Sequence, residues 1–206
     1  LIRSVNKKFF GTGIPLCVAT TGFAGMISNL ALIFTFQSLY GYVFFWLGLL
    51  VTFFMAGGAA GAMIVTSILP RIKNDLIFFI KTELTIICFS CGLPLVFLFV
   101  HPYLDSPAIF LHLRILFLFI SFVCGFLIGA QFPIANKIYL KDGKGLSKTA
   151  GLIYGCDLLG GWLGGIAGSV VLLPVLGLSG AFVVIVLLKL SSFIIITAQY
   201  RLVIQE

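Results

Sequence analysis

The sequence predicts an all-α polytopic membrane protein with six transmembrane helices, on three observations. Of its 206 residues 61% are hydrophobic and 9% charged, and the mean hydropathy is +1.21. Soluble domains carry about a quarter charged residues because their surface must face water, so the solvent of this chain is largely lipid. Its apolar residues fall in runs of the length that crosses a bilayer, about 20 residues each. The 13 basic residues against 6 acidic ones, a net charge of +7, cluster at the ends of those runs. That is the pattern of membrane topology rather than of a nucleic-acid surface, and no nucleic-acid partner is expected.

Taken in order, the spans are expected over residues 14–37, 43–69, 76–100, 115–136, 151–174 and 178–200. The breaks read QSLYGY (37–42), PRIKND (70–75), HPYLDSPAIFLHLR (101–114), NKIYLKDGKGLSKTA (136–150) and PVLGLSG (174–180), so residues 1–206 form a single transmembrane domain. The first run lacks a small-residue cleavage pattern, and no cleavable signal is expected. Arg3, Lys7 and Lys8 precede helix 1, Arg71 and Lys73 lie between helices 2 and 3, Lys137, Lys141, Lys144 and Lys148 between 4 and 5, and Arg201 at the end of helix 6. The alternate connections hold Arg114 alone of Lys and Arg. By the positive-inside rule both termini are expected in the cytoplasm, with the chain in the cell (inner) membrane.

Glycines four apart mark where helices meet: Gly57 and Gly61, Gly125 and Gly129, Gly160 and Gly164, Gly161 and Gly165, Gly164 and Gly168. Small residues at this spacing let backbones approach in lipid. Helix 5, with its two offset glycine rows, is expected at the centre of the bundle.

Three stretches, TTGFAGMISNLALIFTFQSLYGYVFFWLGLLVTFFMAGGAAGA (20–62), GFLIGAQFPIANKIY (125–139) and AGLIYGCDLLGGWLGGIAGSVVLLPVLG (150–177), resemble the membrane region of the bacterial spermidine-synthase-like membrane proteins. The resemblance implies a helical layout related to major-facilitator transporters, of which these helices form one six-helix repeat, half of the fold. In that family the helices are attached to an aminopropyltransferase-like soluble domain. These residues contain no strand-alternating region and no glycine turn following a strand, so no enzyme activity and no catalytic residue is expected. Asn29 stands where the resemblance implies a glutamate, which replaces an ionisable group with an amide.

Charges inside a span are costly and point to function or to a partner. Glu83 and Lys81 fall in the first third of helix 3, Asp157 about 10 Å into helix 5 and Lys189 near the middle of helix 6, at 1.5 Å per residue. Lys81 can extend its stem to the interface. Asp157 and Lys189 differ in depth by roughly 12 Å on this count, which argues against a direct pair. Asp157 is expected to join Lys137, Lys148 and Asn136 in a polar cluster tying helix 5 to the end of helix 4, with a cation or proton site as the other reading. Lys189 is expected to meet Asn29 or Glu83, or a partner subunit.

The five cysteines, Cys17, Cys88, Cys91, Cys124 and Cys156, lie in apolar runs and read as small hydrophobes. The Cys88-x-x-Cys91 pair lacks the further ligands of a zinc site, and His101 and His112 lack any as well, so neither metal nor cofactor is expected. Tyr40, Tyr42, Trp46 and Tyr103 read as interface anchors. The function expected is a non-catalytic membrane module, a subunit or scaffold of a larger assembly with other membrane subunits or further copies of itself as partners besides the lipid bilayer. The alternative is a half-carrier for a small, polyamine-like cation, with Asp157, Glu83, Asn29 and Lys189 on its path.

Overall fold

The computed structural model describes residues 2–41, 44–100, 110–140 and 145–204. The described residues are helical throughout apart from short connections, with no strand among them. The helices are α1 (Ile2–Tyr40), α2 (Phe44–Ile68), α3 (Asp75–Val100), α4 (Phe110–Leu140), α5 (Leu146–Ala167) and α6 (Gly177–Ile204). A 3-10 turn, Leu69–Arg71, leads into α3, and a π-helical segment, Gly168–Leu176, joins α5 to α6. The expected spans 14–37, 76–100, 115–136 and 178–200 therefore lie inside α1, α3, α4 and α6, while 43–69 runs past the end of α2 into the 3-10 turn, 151–174 crosses from α5 into the π segment, and α1 starts twelve residues before the expected position 14.

Five runs are long and apolar enough to cross a membrane: Gly13–Tyr40, Phe44–Arg71, Asp75–Leu98, Leu111–Leu140 and Ser147–Arg201. They are compatible with a multi-pass membrane protein. The last run reverses direction at Gly177, whose φ of 69° lies in the region that favours glycine. Contacts fix the directions on either side of it. Gly160, Gly164 and Gly168 of α5 and the π segment lie against Ala19, Phe23 and Ile27 of α1, so α5 runs parallel to α1. Thr21 of α1 meets Lys189 of α6 while Cys17 meets Ser192, so α6 runs antiparallel to it.

Four helices make a square in which each packs on two neighbours, in the order α1, α4, α3, α6 and back to α1. The other two are attached outside: α2 on α4, and α5 on α1. Burial agrees, since 67% of the α1 span window is buried against 22% for each of the windows in the α2 and Ser147–Arg201 runs. The expectation that helix 5 is central is thus corrected. Its glycines face one neighbour, α1, while Leu158, Leu159, Trp162 and Leu163 remain exposed.

The glycine rows do meet their expected purpose on one side. A Cβ at Gly57 or Gly61 would overlap the Phe122 or Phe126 carbonyl, and one at Gly125 or Gly129 the Phe54 or Gly58 carbonyl. Thus α2 and α4 touch backbone to backbone, in parallel, and the Ser121 hydroxyl donates to Leu50 O at 2.8 Å across the same contact. Gly160, Gly164 and Gly168 likewise lie close to α1, whereas Cβ atoms at Gly161 and Gly165 would sit at ordinary contact distances of 3.8 and 3.6 Å. Only the first of the two α5 rows is a tight interface.

Two apolar clusters fill the square. One, nearer the ends of α1 and α3, includes Ile27, Phe36, Leu93, Phe117 and Phe182. Here Phe36, Phe117, Phe97 and Phe182, one from each helix of the square, contact in sequence with ring centroids 5.7, 6.1 and 6.1 Å apart. The other, nearer the chain termini, includes Ile14, Val18, Phe79, Ile134 and Ile196.

Gly57→Ala or Gly125→Ala should each lower stability by about 1–3 kcal/mol, the usual cost of forcing atoms into a packed contact. Gly92→Ala, where nothing lies within 4 Å of the new Cβ, should be neutral. Thermal unfolding of the three variants in detergent checks this, and equal melting of all three would refute the backbone contact.

Candidate functional site

Between the two apolar clusters lies a layer of polar side chains, one from each helix of the square. Glu83 of α3 and Lys189 of α6 form an ion pair of 2.6 Å, both side chains at 0% exposure. Gln131 of α4 donates from Nε2 to Glu83 Oε1 at 2.6 Å. Lys189 Nζ donates to Thr21 Oγ1 of α1 at 2.8 Å. The Thr21 hydroxyl and Gln131 Oε1 are also hydrogen-bonded, which closes the ring α1–α4–α3–α6. Ser192, one turn beyond Lys189, donates to Glu83 Oε2 at 3.3 Å. The bonds follow the same circuit as the helix packing.

Sequence accounts for the placement. Glu83 lies four residues after the buried Phe79, on the face α3 turns inward, and Lys189 lies four residues after Ile185, likewise fully buried. A charge on that face has no water to reach, so it is stable only when paired and hydrogen-bonded. The Glu83 carboxylate has three partners and the Lys189 ammonium two. One to two turns along the same helices, a cavity lined by Gly25, Ser28, Ser90 and Cys124 has a volume of about 10 Å³, room for roughly a single water.

Of the residues expected to form a site, the structure joins Glu83 and Lys189 and leaves the other two apart. Asn29 is eight residues, about 12 Å, beyond Thr21 on α1. It is buried, and its Oδ1 has no hydrogen-bond partner among the described residues. Asp157 packs on α1 beside Gly22, where an added Cβ would lie 2.8 Å from its Oδ1. The expected cluster of Asp157 with Lys137, Lys148 and Asn136 does not form. Lys137 reaches the other way, to Asp75 at 2.7 Å and to the Leu69 carbonyl at 2.7 Å, closing the α2–α3 corner onto α4. Asn136 donates to Phe132 O within its own helix, and Lys148 is exposed. Among the described residues no hydrogen bond or ion pair reaches the Asp157 carboxylate.

Thr21, Gln131 and Ser192 were not singled out by charge. Their signal was present all the same: a glutamine inside an apolar run, as in GAQFP (129–133), needs a partner across a helix interface. At the opposite end of the bundle the Arg114 guanidinium lies 5.2 Å from the Tyr40 ring centroid and 5.0 Å from that of Trp46, so these two expected anchors hold a cation between α1, α2 and α4. Tyr42, Tyr103 and His101 lie outside the described residues, and His112 is exposed. Cys88 and Cys91 are free and exposed, and among the described residues no three His, Cys, Asp or Glu side chains gather as metal ligands.

No family model, curated protein or solved structure matches the chain.

Removing one member of a buried pair leaves the other charge uncompensated, at a cost of about 3–5 kcal/mol, while replacing both by apolar groups is often neutral. Glu83→Gln and Lys189→Met alone should therefore each destabilise the protein, and the double variant should recover most of the loss. Chemical denaturation in mild detergent measures the cycle; additive losses in the double variant would refute the pairing.

Proposed function

We propose that this chain is a non-catalytic integral membrane module that serves as a subunit or scaffold within a larger membrane assembly. The observation that carries this reading is the ring. The two fully buried charges of the bundle are spent on one another and on neighbouring helices, and the cavity beside them has room for about one water. A polar layer closed in this way fixes helix register and orientation, the best-attested use of buried polar groups. The outward faces of α2 and α5, with Met55, Met63, Ile64, Leu158, Leu159 and Trp162 exposed, offer area for lipid or for neighbouring subunits.

The accompanying topology is six crossings with both termini in the cytoplasm of a cell (inner) membrane. Its support is the alternation of direction along the chain. Helix α2 runs parallel to α4, α5 parallel to α1, and α4 and α6 antiparallel to α1. This alternation brings Arg71, Lys73, Lys137, Lys148 and Arg201 to one end. A six-helix repeat of the major-facilitator kind, as the resemblance to spermidine-synthase-like membrane proteins implies, is in keeping with that layout. A second reading, half of a carrier whose path forms against another half, draws on the buried, unbonded Oδ1 of Asn29 and the unpaired carboxylate of Asp157.

Gentle-detergent purification from native membranes followed by mass spectrometry tests the main reading. Companions at fixed ratio are expected; a lone chain that transports a small cation in proteoliposomes would overturn it. The topology has its own check. A green fluorescent protein fused after Glu206 should fluoresce, and alkaline phosphatase inserted in the 101–109 connection should be active. Active phosphatase at the C-terminus would reverse the orientation.

A further inference from the structure

A carboxylate held in hydrocarbon is stable only with a cation or a proton to meet it. Of the described acids within the spans, Glu83 has Lys189 and Asp75 has Lys137. Asp157 alone has no bonding partner, and it is part exposed rather than sealed in the core. Its depth is fixed by Gly22, the neighbour of Thr21, so it sits near the level of the polar ring but outside the square. There it is part exposed, with Oδ1 close to Gly22, one turn from Tyr154, whose ring meets Phe132 of α4 at 6.3 Å, and next to the exposed Leu158.

We infer that Asp157 is the anchor of a docking face for a spanning helix of a different subunit, one that carries a lysine or arginine at the depth of Gly22. Charge complementarity selects that occupant. The bundle's own deep cation, Lys189, is enclosed, and among the described residues the exposed cation more than a turn from either end of its span, Lys81, lies on α3, which packs on α4 and α6 and not beside α5. A second copy using Lys81 would join opposite faces of the molecule, a head-to-tail contact that leaves one Asp157 unmet unless a ring closes. A long basic side chain entering from the lipid side satisfies the carboxylate and lays its helix along the exposed side chains of Leu158, Leu159 and Trp162. The inference rests on the subunit reading and supplies the chemistry of the partner.

The test places a photo-crosslinking residue at Leu158 in the full chain in native membranes, with a second probe at Met63 on α2. The expected product at Leu158 is a peptide from a spanning segment of another protein that contains Lys or Arg, identified by sequencing. Asp157→Asn should lower its yield about tenfold, a change of 1.4 kcal/mol, while leaving the melting temperature close to that of the parent, and Asp157→Glu should retain it. Cross-links to lipid alone, to a second copy, or to a segment without a basic residue would overturn the inference, as would a yield unchanged in Asp157→Asn. Capture at Met63 without capture at Leu158 leaves the subunit reading standing and removes Asp157 from it. A chain that purifies alone and captures nothing at either position refutes both.

Discussion

The architecture depends on how Glu83 and Lys189 are accommodated inside an apolar bundle. Two full charges inside an apolar bundle are tolerable only in contact and with their other valences occupied. Meeting that demand takes one side chain from each helix of the square: Thr21 from α1, Gln131 from α4, Glu83 from α3 and Lys189 from α6. A slip of any one helix by a residue turns its polar group about 100° away from the ring. Apolar packing in lipid is far more permissive, since lipid tails are as apolar as the side chains they compete with. The ring therefore specifies register, and the apolar clusters on either side of it fill the space that register leaves.

The attached helices follow a different rule. Helices α2 and α5 have no side chain in the ring, and each is held in parallel by glycines that bring backbones together, α2 on α4 and α5 on α1. The molecule thus combines a polar lock at its centre with close van der Waals contact at its flanks. Position on the flank leaves α5 packed on α1 and touching α4 through Tyr154 and Phe132, with Leu158, Leu159 and Trp162 exposed, and it is on this helix that Asp157 lies without a bond. The proposed docking of a basic partner helix rests on that placement, whereas the central charges are satisfied within the bundle.

Much of the layout was legible in the sequence. Apolar run length gave the helices, and glycines four apart on α2 and α4 gave a contact that the backbone distances support. Glu83 was one of the partners open to Lys189, because both are charges in long apolar runs. What composition could not supply was neighbourhood. Helix 5 has the richest glycine pattern, yet glycine spacing shows that a helix is approached closely and not from how many sides. Asp157 was assigned to Lys137 because both lie toward one end of the bundle, but Lys137 has Asp75 and the Leu69 carbonyl within 2.7 Å. Thr21, Gln131 and Ser192 went unmarked because uncharged polar residues are common in apolar helices, where a hydroxyl can bond its own helix, as Thr35 does to Ala31 O.

The central claim is that Glu83 and Lys189 meet directly inside the bundle. The most direct measurement is the dipolar coupling between the Nζ of Lys189 and the Cδ of Glu83 in isotopically labelled protein in lipid bilayers, read by solid-state magnetic resonance. A strong coupling, as the 2.6 Å contact between Lys189 Nζ and Glu83 Oε2 requires, is the predicted result. A coupling too weak to detect, in protein that retains its helices, would contradict the ring and the register argument built on it.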